Sequence, residues 1–287
     1  MRSSVLLIIL LFMGGTPAYS VQVVEVATYD VLPPYAYRDE EGKLTGLYIE
    51  IVKAAVSRMP DYSVDFHVAP WTRVKSLAQF GKVFAVLPPY FHAHDWLTET
   101  EPKKPYIWPY SEPLFEQQDV VLCNASVLEE KAYRFPEDFA NLLFVNWRGD
   151  GRVGEKFHQM VQEKKIILVE VATIKEAIRL VLYGRYDCTV ASKLPARWYL
   201  SLIKESEEFK KLKNEKEVIL KEATIISRNY GYLGYSDIAS DERFPYKKDF
   251  SIKFDIEIYK MRQSGEIDSI VNRFVNAGAV SSIAEDK

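Results

Sequence analysis

The alternation of apolar and polar positions predicts strands and helices that follow one another along the chain. Residues 21–28 are apolar and β-branched, which favours a first strand. The Pro33-Pro34-Tyr35 loop follows that strand, because proline cannot continue a ladder of backbone hydrogen bonds. Apolar residues then recur at the spacing of one helical face: Leu47, Ile51, Ala55 and Met59. We therefore expect a helix that ends at Pro60.

The alternation continues through the first half of the chain. Residues 62–68 and 82–87 predict strands, and Pro70-Trp71 opens the helix between them. The loop over residues 88–95 follows the second of these strands, at the position where open α/β sheets usually bind ligands. A long strand over residues 116–123 then indicates a crossing into a second unit.

The second unit repeats this organisation. Its strands are predicted over residues 142–146, 166–171 and 186–192. Thr173 and Glu176 form a capping box for a helix, and Gly184 follows the end of that helix. The densely charged segment 204–221 predicts a solvated helix and loop rather than a binding patch.

The last part of the chain is predicted to return to the first unit. Residues 225–236 form the return crossing, and apolar spacing predicts helices over residues 249–263 and from Ile267 to Phe274. The fold class is therefore α/β, with two lobes that each contain a mixed sheet flanked by helices. Lobe 1 is expected to comprise residues 21–116 and 229–287, and lobe 2 residues 117–228, with the hinge strands at its borders.

Composition and the N-terminal pattern narrow the class of protein. Residues 1–20 have the pattern of a cleaved signal peptide, with Arg2 before an apolar run and Ala18 and Ser20 before the cut. We therefore expect a periplasmic protein. The formal net charge of the 287 residues is −3, and the absence of a long basic block argues against nucleic acid as a partner.

Cys123 and Cys188 are the two cysteines of the chain. An oxidising compartment permits a disulfide, but sequence gives no distance between their Cα atoms. A disulfide and two buried free thiols therefore both remain open at this point.

Several short motifs in order resemble the family 3 extracellular solute-binding proteins, which have the type II periplasmic-binding-protein fold. The motifs are Pro33-Pro34-Tyr35, Gly46-Leu47-Tyr48-Ile49-Glu50-Ile51, Pro70-Trp71-Thr72-Arg73, Gly81-Lys82, Ser111-Glu112-Pro113-Leu114, Gly184-Arg185-Tyr186-Asp187 and Lys247-Lys248-Asp249-Phe250. The resemblance implies a solute receptor that closes around its ligand by a hinge in two crossing strands. We expect Tyr35 and Trp71 to form aromatic walls of the ligand site, because flat rings bury apolar ligand surface with little rotamer entropy to lose. The alternative is that both are core rings.

The sequence departs from the amino-acid receptors of that family at both charged anchors. Trp96 occupies the position of the arginine that holds the ligand carboxylate, and Ser192 that of the acid that holds the ammonium group. Arg148 is the best substitute for an anion contact, and Arg73 is the second candidate. Tyr90 and Trp147 are expected to add ring surface, with Trp96 as a weaker candidate. The ligand is therefore expected to be a small polar molecule, either amino-acid-like or an organic anion.

Other chemistries are less well supported by the sequence. His92, His94 and Asp95 are close enough to suggest a metal, but too few ligands accompany them, so neither a metal nor a cofactor is expected. Some relatives of this fold are cyclohexadienyl dehydratases, and Asp30, Asp95 and Asp150 lie near the expected cleft. No Ser-His-Asp or Cys-His pattern accompanies them, so we expect a receptor and not an enzyme.

The expected partners are the small ligand and a membrane protein. Delivery to an ABC-type transporter is the main hypothesis, and reporting to a membrane kinase is the alternative. The receptor itself is expected to be a monomer.

Overall fold

The computed structural model describes residues 21–90, 96–148, 151–215 and 219–280. The predicted signal peptide, residues 1–20, lies outside the described residues, as do His92, His94, Asp95 and Asp150.

The described residues form strands and helices in the alternating order that the sequence predicts. The strands are β1 (Gln22–Thr28), β2 (Val31–Leu32), β3 (Ala36–Arg38), β4 (Leu44–Thr45), β5 (Tyr62–Val68), β6 (Ala85–Val86), β7 (Ile107–Tyr110), β8 (Phe115–Asn124), β9 (Leu143–Trp147), β10 (Ile167–Val171), β11 (Cys188–Ser192), β12 (Leu220–Gly231) and β13 (Gly234–Ser236). The helices are α1 (Leu47–Val56), α2 (Trp71–Gln79), α3 (Gly154–Gln162), α4 (Ile174–Leu182), α5 (Lys193–Glu205), α6 (Glu207–Glu215), α7 (Ser240–Arg243), α8 (Lys247–Gln263) and α9 (Glu266–Val280).

Two five-stranded sheets define the two lobes. The lobe 1 sheet has the order β5-β1-β6-β13-β7, and the lobe 2 sheet has the order β10-β9-β11-β8-β12. Each sheet contains parallel and antiparallel pairs. A small sheet of order β2-β3-β4 precedes α1. The mixed α/β class and the two-lobed architecture predicted from the sequence are therefore confirmed.

The hinge strands β8 and β12 connect the lobes. They pair antiparallel from Leu220 opposite Asn124 to Gly231 opposite Phe115. Phe115 packs against the core of lobe 1, whereas Cys123 lies in the core of lobe 2. Both strands extend through the predicted lobe borders at 116/117 and 228/229, so the choice of those residues as borders stays a prediction.

The hydrophobic core of lobe 1 includes the inner faces of α1 and α8. The buried residues of α8 are Phe250, Phe254, Ile258 and Met261, the spacing that the sequence predicts for one helical face. α1 begins after Gly46, whose φ of 128° and close approach to the backbone of Tyr35 leave no room for a Cβ. The first amides of α1 donate to the carbonyls of Pro34 and Tyr35, which fixes the Tyr35 loop against the helix.

Local details of the sequence prediction are mostly confirmed. The Thr173 hydroxyl accepts a hydrogen bond from the Glu176 amide at 3.1 Å and so caps α4, and Gly184 follows that helix with a φ of 67°. The predicted strand over residues 82–87 is shorter than expected, since β6 contains only Ala85 and Val86. The predicted solvated segment after residue 204 is the end of α5 followed by α6.

The structure resolves the state of the cysteines that the sequence left open. Cys123 of β8 and Cys188 of β11 lie opposite each other in the lobe 2 sheet and form a disulfide. Both residues are fully buried. The bond therefore joins a hinge strand to the central strand of its own lobe.

We expect the double substitution Cys123→Ser and Cys188→Ser to lower the free energy of unfolding by about 4 kcal/mol. The physical reason is that the bond joins residues 65 positions apart and so restricts the unfolded chain. Urea unfolding of the oxidised protein and of the double variant measures this difference. Reduced wild type should match the variant, and coincident midpoints for the oxidised protein and the variant would contradict the prediction.

Candidate functional site

A buried polar cluster lies on one face of the hinge strands. Successive residues of a strand point to opposite faces, and directly opposed residues of paired strands share a face. Gln117 and Asp119 therefore share a face with their register partners Asn229 and Ser227. We call this face of the hinge the cleft face.

The Asp119 carboxylate is the centre of this cluster. Its residue is only 5% exposed, so the charge requires partners. The hydroxyls of Ser192 and Ser227 each donate to it at 2.7 Å, one to each carboxylate oxygen. The side-chain amide of Gln117 donates at 3.3 Å. Asp119 thus connects both hinge strands to the end of β11.

Arg152 contributes the positive charge of the cluster. It lies in the 3-10 helix Gly151–Val153, immediately before α3. Its Nη1 donates to the Ser192 hydroxyl at 2.7 Å and to the Asp119 carboxylate at 3.4 Å. The Arg152 side chain is 21% exposed and that of Asp119 7%, so this ion pair is largely removed from solvent.

Lobe 1 meets the cluster through tyrosines. The Tyr90 hydroxyl donates to the side-chain oxygen of Gln117 in a short hydrogen bond. The Tyr35 hydroxyl has no hydrogen-bond partner among the described residues. Burial raises the pKa of Tyr35 well above its usual value, and its electrostatic neighbours include Tyr90, Tyr29, Asp119 and Arg152.

Burial raises the pKa of three more tyrosines in the same region. These are Tyr29, Tyr48 and Tyr90. Tyr48 lies against Gly231 at the end of β12, where a Cβ would collide with the tyrosine hydroxyl. These rings therefore remain protonated phenols over the neutral range and add no negative charge to the region.

A group of three aromatic rings lies at the start of α2. The half-buried ring of Trp71 contacts Tyr29 at 5.5 Å and Trp96 at 5.9 Å between ring centroids, both edge to face. Trp96 is 4% exposed, and its Nε1 donates to the Tyr90 carbonyl at 3.2 Å. Lys75 Nζ lies 5.3 Å from the centroid of the Trp96 ring.

The structure brings together some of the predicted site residues. Tyr90 and Ser192 meet at the polar cluster, and Trp71 and Trp96 belong to the aromatic group. Tyr35 is fully buried and its ring contacts Tyr48 and Phe115, so its role in binding stays a prediction. Three others have exposed side chains, namely Arg73, Trp147 and Arg148. The backbone amide of Arg148 donates to Val171 of β10, which fixes the loop after β9. Their roles in binding stay predictions.

Four residues of the cluster were not predicted from the sequence, namely Gln117, Asp119, Arg152 and Ser227. One usable signal was Asp119 itself, since an acid that directly precedes the apolar Val120-Val121-Leu122 is unusual in a strand and needs a partner. Arg152 lies only four residues after the arginine that we selected, but sequence spacing could not show which of the two faces the hinge.

No three His, Cys, Asp or Glu side chains of the described residues are grouped so that they could bind a metal ion. The suggested His92, His94 and Asp95 site lies outside these residues. Within the same residues, no helix combines the length and apolar character that a membrane crossing requires.

The sequence was compared with protein families and with proteins of known structure. The model of the family "Bacterial extracellular solute-binding proteins, family 3" matches residues 24–277. No curated protein matches the sequence.

Three solved structures show the similarity in fold. A histidine kinase sensor domain similar to periplasmic binding proteins has a TM-score of 0.57 at 18% identity, covering 88% of this chain and 96% of its own. The second substrate-binding domain of GlnP from Lactococcus lactis has a TM-score of 0.61 at 9% identity, covering 88% and 94%. A chain solved to explain glutathione import via GshT and the cystine ABC importer TcyBC of Streptococcus mutans has a TM-score of 0.61 at 18% identity, covering 90% and 96%.

We expect Asp119→Asn to lower the free energy of unfolding by about 1–3 kcal/mol. The new amide group places N–H donors opposite the donors of Ser192, Ser227 and Arg152, so at least one buried hydrogen bond is lost. Urea unfolding measures the effect. Glu116→Gln is the matched control, because it makes the same chemical change three residues away on the opposite face of the same strand and should cost less than about 0.5 kcal/mol. Equal losses at the two positions would contradict the role given to Asp119.

We also expect the free energy of unfolding to fall as the pH rises above about 10, the ordinary pKa of tyrosine. The folded-state pKa values of Tyr29, Tyr35, Tyr48 and Tyr90 are raised, so below that pH both states keep their protons and stability is unaffected. Above it the unfolded chain releases protons that the folded protein retains, which favours unfolding. Urea midpoints across an alkaline pH series measure this.

Tyr35→Phe is the control for the alkaline series. It removes one buried phenol whose hydroxyl has no partner among the described residues, so the variant should be as stable as wild type at neutral pH and lose less stability above pH 10. An unchanged alkaline slope in this variant would exclude Tyr35 as a contributor.

Proposed function

The chain belongs to the family 3 bacterial extracellular solute-binding proteins, and from this membership we propose that it is a periplasmic receptor that closes on one small polar ligand. The observation that carries the proposal is the Asp119 cluster. In it, polar side chains of both hinge strands and of lobe 2 meet Tyr90 of lobe 1. No catalytic residue is part of the proposal.

Closure requires that the ligand bind the closed form more tightly than the open form. The receptor then shifts toward the closed form by that difference in affinity. The two hinge strands suit this motion, since each extends from one lobe core to the other. Ligand contacts made by Arg152 and Ser192 of lobe 2 together with Trp71 of lobe 1 would exist only when the lobes approach each other.

The charges of the cleft favour a ligand with an anionic group. Asp119 forms an ion pair with Arg152 and accepts hydrogen bonds from two hydroxyls, which together reduce its repulsion of an anion. Arg73 and Arg148 add exposed positive charge at the predicted cleft loops. A guanidinium binds a carboxylate with paired hydrogen bonds. Arg152 lies at the Asp119 cluster, so it replaces Arg148 as the preferred anion contact of this proposal. The ligand is an organic anion or an amino-acid-like molecule.

The half-buried Trp71 supplies the apolar wall of the proposed site. Its edge-to-face contacts with Tyr29 and Trp96 hold the ring in place, so little rotamer entropy is lost when a ligand packs against it.

We propose that the receptor is a monomer that delivers its ligand to an ABC-type transporter. The similarity to a chain from an importer system supports this role. A second candidate is a ligand sensor for a membrane kinase, which the similarity to a histidine kinase sensor domain favours. The signal-peptide pattern of residues 1–20 supports export to the periplasm.

We expect a thermal-shift screen against amino acids, organic acids, amines and short peptides to identify at least one stabilising organic acid or amino acid. A ligand present at a hundred times its Kd stabilises the native state by about 2.7 kcal/mol. In Trp71→Ala most of that rise in Tm should disappear, because the apolar wall is removed. Trp108→Ala is the matched control, since it truncates an exposed tryptophan of the same lobe and should leave the ligand-induced shift unchanged.

The screen also has outcomes that contradict the proposal. Stabilisation by amines alone would exclude the anionic ligand class. An equal ligand-induced shift in Trp71→Ala and wild type would exclude Trp71 from the site. Conversion of prephenate or arogenate to product would show that the protein is an enzyme and not a receptor.

A further inference from the structure

The hinge strands have a second face, opposite the Asp119 cluster. Glu116 and Gln118 alternate with Gln117 and Asp119 along β8, so they point away from the cleft face. Their register partners on β12 are Tyr230 and Arg228. A cavity of about 690 Å³ lies against this second face, and its lining includes Glu116, Gln118 and Tyr230. We call it the rear cavity.

Both lobes build the walls of the rear cavity. α5 of lobe 2 contributes Lys193, Leu194 and Arg197, and α9 of lobe 1 contributes Ile267, Asp268 and Val271. The spacing is i, i+1, i+4 in each helix, so each helix presents one continuous strip to the cavity. Close to the cavity, the Tyr37 ring of lobe 1 contacts Trp198 of α5 at 5.3 Å between centroids, which holds the helix against lobe 1.

The lining of the rear cavity contains both apolar and charged side chains. Leu114, Leu194 and Ile267 line the cavity although they are nearly fully buried, so its deep surface is apolar. A volume of this size falls in the range of about 300–1,000 Å³ that is usual for small-molecule sites.

The lining contains one more basic than acidic side chain, and its Arg262 is ion-paired with Glu112. Lys193, Arg197 and Arg262 face two acids, Glu116 and Asp268. Glu116 is ion-paired with Arg228, and Lys193 with Glu222. Arg197 has no hydrogen-bond or ion-pair partner among the described residues, which leaves its guanidinium available to an anion.

We propose that the rear cavity is a second binding site, which takes a small organic anion with an apolar body. The apolar body packs on Leu194 and Ile267, and Arg197 pairs with the anionic group. Tyr35 also lines the cavity, and its buried hydroxyl lacks a partner among the described residues. This site is distinct from the cleft, because the hinge strands separate the rear cavity from the Asp119 cluster.

Since both lobes build the cavity, its shape changes whenever the lobes move. An anion bound there and a ligand bound in the cleft would then alter each other's affinity by the same factor. This coupling rests on the proposed function, whereas binding to the rear cavity does not.

The probe that tests the site is anilinonaphthalene sulfonate, a fluorescent aromatic anion. We expect the folded protein to bind it saturably, and Arg197→Gln to raise its Kd by about threefold to tenfold through loss of the charge-assisted contact. Asp268→Asn should lower the Kd, because it removes a negative charge from the lining. Lys204→Gln is the matched control, since it removes one positive charge from the same helix outside the cavity and should leave the Kd unchanged.

The cleft variant Trp71→Ala separates this proposal from the proposed function. Probe binding that is unaffected by Trp71→Ala and weakened by Arg197→Gln supports a rear site, whatever the cleft binds. Probe binding that Trp71→Ala abolishes and Arg197→Gln leaves intact would overturn it, because the probe would then occupy the cleft. Weaker binding in Asp268→Asn would overturn the anionic ligand class. Thermal unfolding of each variant without probe confirms that it is folded.

Discussion

Ten residue pairs hold β8 against β12, and the register of these pairs determines what the space between the lobes contains. Val120 lies opposite Ile225, but Asp119 lies opposite Ser227, so Ile226 is an extra residue in β12. Ile226 packs against the lobe 2 core. Without this bulge Ile226 would oppose Asp119, and an apolar side chain would replace the hydroxyl that now binds the carboxylate. The bulge therefore places a polar pair at the centre of the hinge.

A buried carboxylate imposes requirements on distant parts of the chain. Asp119 is satisfied by Ser192, which ends β11, by Ser227 of β12 and by Arg152, which precedes α3. Removing water from a charge is costly, so these groups must be in place whenever the site is folded. The disulfide between β8 and β11 supports the same arrangement, because Cys123 and Cys188 lie four residue pairs from Asp119 and Ser192 along the same ladder. The polar site and the covalent bond thus fix the same two strands.

The periodicity of apolar residues predicted the order of the strands and helices. The contacts that it did not predict are made by buried side chains from distant parts of the chain. The inner face of α8 and the cap of α4 depend on local spacing, so the sequence was sufficient for both. The pairing of Arg152 with Asp119 joins residues 33 positions apart and depends on the register of the lobe 2 sheet, which no local pattern contains. Trp96 shows another limit, since no local pattern could predict that its ring is 4% exposed and hydrogen-bonded to the Tyr90 carbonyl. Its contact with a ligand stays a prediction.

The strand period of two gives one pair of strands two different surfaces. The cleft face carries Asp119 and Ser227, whereas the rear face carries Gln118 and Arg228. The chain repeats this division where β11 becomes α5, since Ser192 binds Asp119 and the next residue, Lys193, lines the rear cavity. A rotation that brings the lobes together on one side of the strands must separate them on the other. In the proposed closing motion, the polar cluster and the rear cavity would therefore both change shape with the same hinge, although none of the described side chains that bind Asp119 lines the rear cavity.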